Sequence, residues 1–131
     1  MDEELENGSD PKAVGVQERL DWIRSKYGLV PLVVEEMAKE PETFIPYFDF
    51  TRNTTFEPKH LDKKIVELAI ISAGSALASE HCLGIHLEQA RESGATKEEI
   101  REALLIGAYM AFVKSQSISF RMFQKMSLTS K

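Results

Sequence analysis

Apolar side chains recur along the chain at the three- and four-residue spacing of α-helices, and proline, glycine and capping residues mark the helix ends. The first predicted helix runs from about Val14 to Gly28, where glycine suits the left-handed conformation of a C-terminal cap. Pro31 and Pro41 each begin a further helix, because the fixed φ of proline suits a first helical turn. The pattern therefore predicts that the first part of the chain consists of scaffold helices.

Two further helices are predicted around the middle of the chain. Pro58 is at the first turn of the first helix, and Gly74 and the small residues after it are expected to end or bend that helix. Ser79 is the predicted N-cap of the second, which runs from Glu80 to about Glu92. The pattern predicts that the two helices follow each other closely.

The strongest helix-start signal precedes the last predicted helix, where Thr96 and Glu99 have the spacing of a capping box. No segment alternates for long between apolar and polar residues, and no stretch reads as a strand. We therefore predict an all-α fold in a single domain over residues 13–131. Residues 1–12 have five acidic residues against one lysine and almost no apolar side chain, which predicts a disordered tail.

Charge and cysteine content narrow the classes of partner and compartment. The formal net charge is -5, and lysines and arginines are interleaved with acidic residues, which leaves no basic stripe for nucleic acid. The longest uncharged stretch, Leu68 to Ser79, is shorter than the roughly 20 apolar residues of a membrane-spanning helix. A single cysteine cannot form an intramolecular disulfide. We expect a cytoplasmic protein that binds neither nucleic acid nor membrane.

The sequence SEHCLGIH contains that cysteine, Cys82, at the third position of its predicted helix. The positive end of the helix dipole favours a thiolate there, so we expect the pKa of Cys82 to lie below the ordinary value of about 8.5. His86 lies one turn later on the same face, and His81 flanks the site. Glu67, among apolar residues of the preceding helix, needs a partner such as His86 if it is buried.

Simpler roles stay open for these residues. Cys82 can be a packing residue, since free cysteines are often buried, and the histidines and Glu67 can be ordinary surface or paired residues. Cys82 and His86 with Glu67 and His81 can also ligate zinc, but structural zinc sites usually have two or more thiolates, and we expect no metal. His60 is expected to be solvated. The last apolar cluster is expected to be buried or to face another subunit; it consists of Phe120, Met122, Phe123 and Met126.

Over residues 56–112 the chain resembles the carboxymuconolactone decarboxylase and alkylhydroperoxidase D (AhpD) family, in LDKKIVELAIISAG, in EHCLGIHLEQARESGATKEEIREAL and in the helix that follows. AhpD enzymes have the motif E-x11-C-x-H-C-x-x-x-H, and four of its five defined positions match here. The resemblance implies an AhpD-like helical bundle. It also implies that Cys82 is the peroxide-reactive thiol, that Glu67 and His86 are its proton relay, and that His81 is the histidine between the two cysteine positions.

Ser79 departs from the motif, because AhpD enzymes have the resolving cysteine at this position. A serine cannot close a disulfide. After attack on a peroxide, Cys82 would remain a sulfenic acid until an external thiol or the Cys82 of a second subunit reduced it.

The resemblance implies a thiol-dependent peroxidase without a cofactor, which takes a peroxide or another small molecule as substrate and an external thiol as reductant. It also implies a homo-oligomer, commonly a trimer or hexamer. Two other functions stay open. One is a carboxymuconolactone decarboxylase-like lyase with Glu67 and a histidine as acid and base, and the other is a non-enzymatic oligomeric binding module.

Overall fold

The computed structural model describes residues 10–126, and these form six α-helices with one π-helical turn, Arg52–Phe56, after the third. The helices are α1 Pro11–Tyr27, α2 Leu32–Ala38, α3 Pro41–Thr51, α4 Lys63–Leu77, α5 Glu80–Glu92 and α6 Lys97–Lys125. No strand occurs among the described residues, so the all-α prediction is confirmed.

The predicted boundary between tail and helical domain is wrong by a few residues. Asp10 is the N-cap of α1, and its side chain accepts a hydrogen bond of 3.0 Å from the backbone N of Lys12. Pro11 occupies the first helical turn, where its missing N–H costs nothing. Residues 10–12 therefore belong to α1, and the rest of the predicted tail, residues 1–9, lies outside the described residues.

The described residues of the predicted domain form two compact units, each with its own core, and α1, α2 and α3 make up the first, which ends at Glu57. Both Oδ atoms of Asp49 accept hydrogen bonds of 3.1 Å from Arg19, which ties α3 to α1. Gly28 ends α1 with φ 76°, as predicted. The core of this unit consists of Val16, Ile23, Phe44 and Phe48.

Helices α4, α5 and α6 make up the second unit, which begins at Pro58. Helix α6 crosses α4 at small residues, where Ser75 Oγ donates a hydrogen bond of 2.9 Å to the backbone oxygen of Leu104. A Cβ atom on Gly107 would overlap the backbone oxygen of Ser72 and lie 2.9 Å from Cβ of Ser75. Only glycine allows this close approach. The core of the unit consists of Ile71, Ala90, Ala95 and Ala103.

The predicted start of α4 is wrong, and the helix ends among the small residues that follow Gly74. The helix does not begin at Pro58, because the carboxylate of Asp62 accepts a hydrogen bond of 2.9 Å from Ile65 N and caps a later start. Gly74 itself is buried inside the helix. The helix ends at Ala78, which adopts the left-handed conformation with φ 52° although it is not a glycine.

Helix α6 presents an exposed apolar surface on the side opposite α4. Successive residues of a helix are about 100° apart, so this side bears the outer face of α6, defined by Leu105, Tyr109, Phe112, Phe120 and Phe123. Each of these side chains is more than half exposed. Met122 and Met126 are exposed as well, so the expectation that the last apolar cluster is buried within the chain is wrong.

By length and composition alone, α6 is apolar enough to cross a membrane, and 11% of its most apolar window is buried. The length of the uncharged stretches did not predict such a helix, because Lys114 divides the apolar residues of α6 into shorter uncharged stretches.

Candidate active site

The carboxylate of Glu67 lies at the centre of the candidate site. It is 0% exposed on α4, and its Oε2 atom is 2.8 Å from Nδ1 of His86 on α5. Its Oε1 atom accepts a hydrogen bond of 2.6 Å from Nζ of Lys63, one helical turn earlier. The structure therefore brings Glu67 and His86 together, and the ammonium group of Lys63 contacts the same carboxylate.

Cys82 lies at the third position of α5, one turn before His86 on the same face of the helix. The helix starts where the sequence predicts, because Ser79 is its N-cap and accepts a hydrogen bond of 3.3 Å from the backbone N of Cys82. Gly74 of α4 faces this turn, since a Cβ atom there would lie 3.3 Å from Cys82 Sγ. Because Gly74 has no side chain, the thiol of Cys82 can pack against α4.

The protonation of Glu67 reflects a balance of opposed effects. Burial alone raises the pKa of this carboxyl group, but the hydrogen bonds and electrostatic effects of His86 and Lys63 outweigh it and hold the pKa of Glu67 below its ordinary value. Glu67 is therefore a carboxylate near neutral pH and can only accept hydrogen bonds. It follows that Nδ1 of His86 is the donor in their contact.

The expected low pKa of Cys82 is wrong. Burial raises the pKa of the thiol, and the negative charge of Glu67 raises it further. The thiol is partly buried in the first turn of α5, so position at a helix N-terminus alone does not predict its pKa. Cys82 is consequently a thiol at neutral pH, and a base must take its proton before it can act as a nucleophile.

This result leads to a prediction for the alkylation of Cys82 by iodoacetamide. The alkylation rate of the folded protein should reach its midpoint at a higher pH than that of the same protein in denaturant. Glu67→Gln should move the folded midpoint to lower pH, because it removes the negative charge that opposes the thiolate.

His60→Ala serves as the control, because His60 is exposed and precedes α4. If the alkylation midpoint of the folded protein lay at a lower pH than that of the denatured protein, Cys82 would have the low pKa expected from the helix dipole. An unchanged midpoint in Glu67→Gln would show that the carboxylate does not act on Cys82.

One predicted site residue and one residue that was not predicted complete the description of the cluster. His81 is exposed at the second position of α5, whereas Glu67 is buried. Sequence reasoning missed Lys63, although its spacing of four residues from Glu67 is that of a helical ion pair. Within residues 10–126, no three His, Cys, Asp or Glu side chains are grouped to hold a metal ion.

The model of one protein family matches most of the chain. It is the model described as the carboxymuconolactone decarboxylase family, and it matches residues 41–124. That range contains every residue of the candidate site. Comparisons with the curated proteins and with the solved structures found no match.

Proposed function

Because the chain belongs to the carboxymuconolactone decarboxylase family, we propose that it is an AhpD-like peroxidase whose single nucleophile is Cys82. The observation that carries this proposal is the hydrogen bond between the buried carboxylate of Glu67 and His86, one turn from the thiol. A carboxylate that orients a histidine beside a nucleophile is a recurrent arrangement for proton transfer.

Glu67 gives His86 the tautomer that the reaction needs. Because Nδ1 donates to the carboxylate, the neutral imidazole carries its lone pair on Nε2. Nε2 takes the proton of Cys82, directly or through a water molecule. The raised pKa of Cys82 makes this transfer necessary, since few thiolates are present before it.

The thiolate then attacks the terminal oxygen of a hydroperoxide. A bond forms between Sγ of Cys82 and that oxygen, the O–O bond breaks, and the electron pair leaves with the second oxygen. His86 returns the proton to this leaving oxygen, which departs as an alcohol, or as water from hydrogen peroxide. Sulfur is oxidised to a sulfenic acid, and the peroxide is reduced.

An external thiol restores Cys82. It attacks the sulfenic sulfur, water leaves, and a mixed disulfide forms. A second external thiol attacks this disulfide, releases the thiol of Cys82 and carries away the oxidised reductant as its own disulfide. Ser79 takes no part in this exchange because its hydroxyl is not a reductant.

Consumption of an organic hydroperoxide with dithiothreitol as reductant tests the proposal. Wild type should turn over peroxide, Cys82→Ser should have none of this activity, and His86→Ala and Glu67→Gln should each lose about a hundredfold. His60→Ala should keep the wild-type rate, since His60 is exposed outside the cluster. If His86→Ala, Glu67→Gln and His60→Ala lost activity equally, the proton relay would be contradicted.

A lyase is the second candidate, and the raised pKa of Cys82 favours it, because Glu67 and His86 form an acid–base pair that needs no thiolate. Decarboxylation of a carboxymuconolactone by the Cys82→Ser variant, together with no peroxide consumption by wild type, would establish the lyase and exclude the peroxidase. A protein inactive in both assays would instead fit the binding module.

We further propose that the outer face of α6 is buried between copies of this chain. Its support is the row of apolar side chains that α4 leaves exposed. In sedimentation without detergent, wild type should form a closed oligomer that Phe112→Glu dissociates, whereas Ser115→Glu, on another side of α6, should not. A monomeric wild type, or one that stays with membranes until detergent releases it, would contradict this.

A further inference from the structure

Lys63 is the one described residue other than His86 that forms a hydrogen bond with Glu67. Its Nζ atom is 2.6 Å from Oε1, while Nδ1 of His86 is 2.8 Å from Oε2, so each carboxylate oxygen has its own cation or ring nitrogen. The side chain of Lys63 is 34% exposed and that of Glu67 0%. The side chain of Lys63 is therefore partly in solvent while its ammonium group contacts a buried carboxylate.

We propose that Lys63 is a positioning residue of the site, which holds Oε1 of Glu67 so that Oε2 accepts the Nδ1 proton of His86. The use of this arrangement in proton transfer rests on the proposed function. The arrangement itself is a property of the resting protein, so it can be measured without a peroxide.

The ammonium of Lys63 also keeps Glu67 ionised. Without it, the buried carboxyl group would have His86 as its only described partner, and desolvation would raise its pKa. A protonated Glu67 can donate a hydrogen bond itself, so it no longer requires the proton of His86 on Nδ1. The imidazole would then lose the tautomer that leaves Nε2 as the base.

The charged groups around this contact come from two helices. Lys63 and Glu67 belong to α4, and Cys82 and His86 belong to α5. Helix α6 also packs against α5, and its Glu99 forms an ion pair with Lys64. Lys64 is therefore a matched control, because it is the next residue on α4, is about as exposed, and bonds a different carboxylate.

The tautomer of His86 can be read from the ¹⁵N shifts of its two ring nitrogens. Wild type and Lys64→Gln should have the proton on Nδ1 at neutral pH, and Lys63→Gln should lose this preference. Lys63→Arg should restore the wild-type signals, and His60 and His81 provide internal references.

Peroxide turnover distinguishes a failure of this inference from a failure of the proposed function. Lys63→Gln should lose about tenfold in turnover at neutral pH, Lys63→Arg should recover most of it, and Lys64→Gln should lose none. The same Nδ1 signature in Lys63→Gln as in wild type would overturn the inference whatever the activities. A changed signature in a protein without peroxidase activity would overturn only the proposed function. Lys63→Met, which keeps most of the aliphatic stem, gives the same measurement if the glutamine variant does not fold.

Discussion

Gly107→Ala should lower the free energy of unfolding by about 3 kcal/mol, which is more than we expect for any other single methyl group added to α6. The new Cβ atom would overlap the backbone oxygen of Ser72 on α4. A flexible side chain can turn away from such an overlap, but a backbone oxygen inside a helix cannot. The two helices must therefore separate, and the contacts of Ala103 and Ile71 in the core loosen with them. Urea denaturation followed by circular dichroism measures the loss.

Gly84→Ala is the matched control for this variant. Gly84 lies inside α5, is exposed, and has no heavy atom within 4 Å of the position of an added Cβ. Alanine should therefore raise the free energy of unfolding by up to about 1 kcal/mol through helix propensity alone. If both variants changed stability in the same direction and by similar amounts, α4 and α6 would not make the close approach described at Gly107.

Ser79→Cys should give the protein a reversible internal disulfide that wild type cannot form. Ser79 is the N-cap of α5 and Cys82 its third residue, a spacing at which two thiols can pair. After peroxide oxidises Cys82 to a sulfenic acid, the introduced thiol attacks that sulfur and water leaves. The intact protein should then weigh two hydrogens less than the reduced form, and turnover with a dithiol reductant should rise about tenfold, since resolution becomes intramolecular.

Ser79→Ala separates the loss of the cap from the gain of a thiol. Both substitutions remove the hydroxyl that accepts from Cys82 N, which costs about 1 kcal/mol of stability. Only the cysteine variant should lose two hydrogens on oxidation. If that variant folded and still closed no disulfide, the two side chains would not lie side by side on the first turn. The correspondence between this chain and the AhpD motif would then fail.

The sequence was sufficient to predict the parts of the site that depend on local spacing. Short-range signals predict three features that the structure has. They are Ser79 as N-cap, the extent of α5, and the capping box of Thr96 and Glu99. The partnership of Glu67 with His86 also follows, because a carboxylate among apolar residues needs a neighbour that compensates its charge.

The remaining features depend on how helices pack. A glycine in a sequence indicates either a break or a close approach, and only the position of Cys82 Sγ decides that Gly74 is the latter. The pKa of Cys82 depends on burial and on the distance to Glu67, neither of which the position in a helix reveals. Lys63, by contrast, was within reach of sequence reasoning, because lysine four residues before a glutamate is an ordinary helical pair.

The hairpin of α4 and α5 affects how the site forms during folding. Glu67 and His86 are 19 positions apart, and the connection between their helices is only Ala78 and Ser79. Bringing the two side chains together closes a short segment of chain, whose entropic cost is low and grows only slowly with length. Contacts between residues that are this close in the sequence form rapidly during folding. We therefore expect the proton relay to assemble as α5 docks on α4, without waiting for contacts from distant parts of the chain.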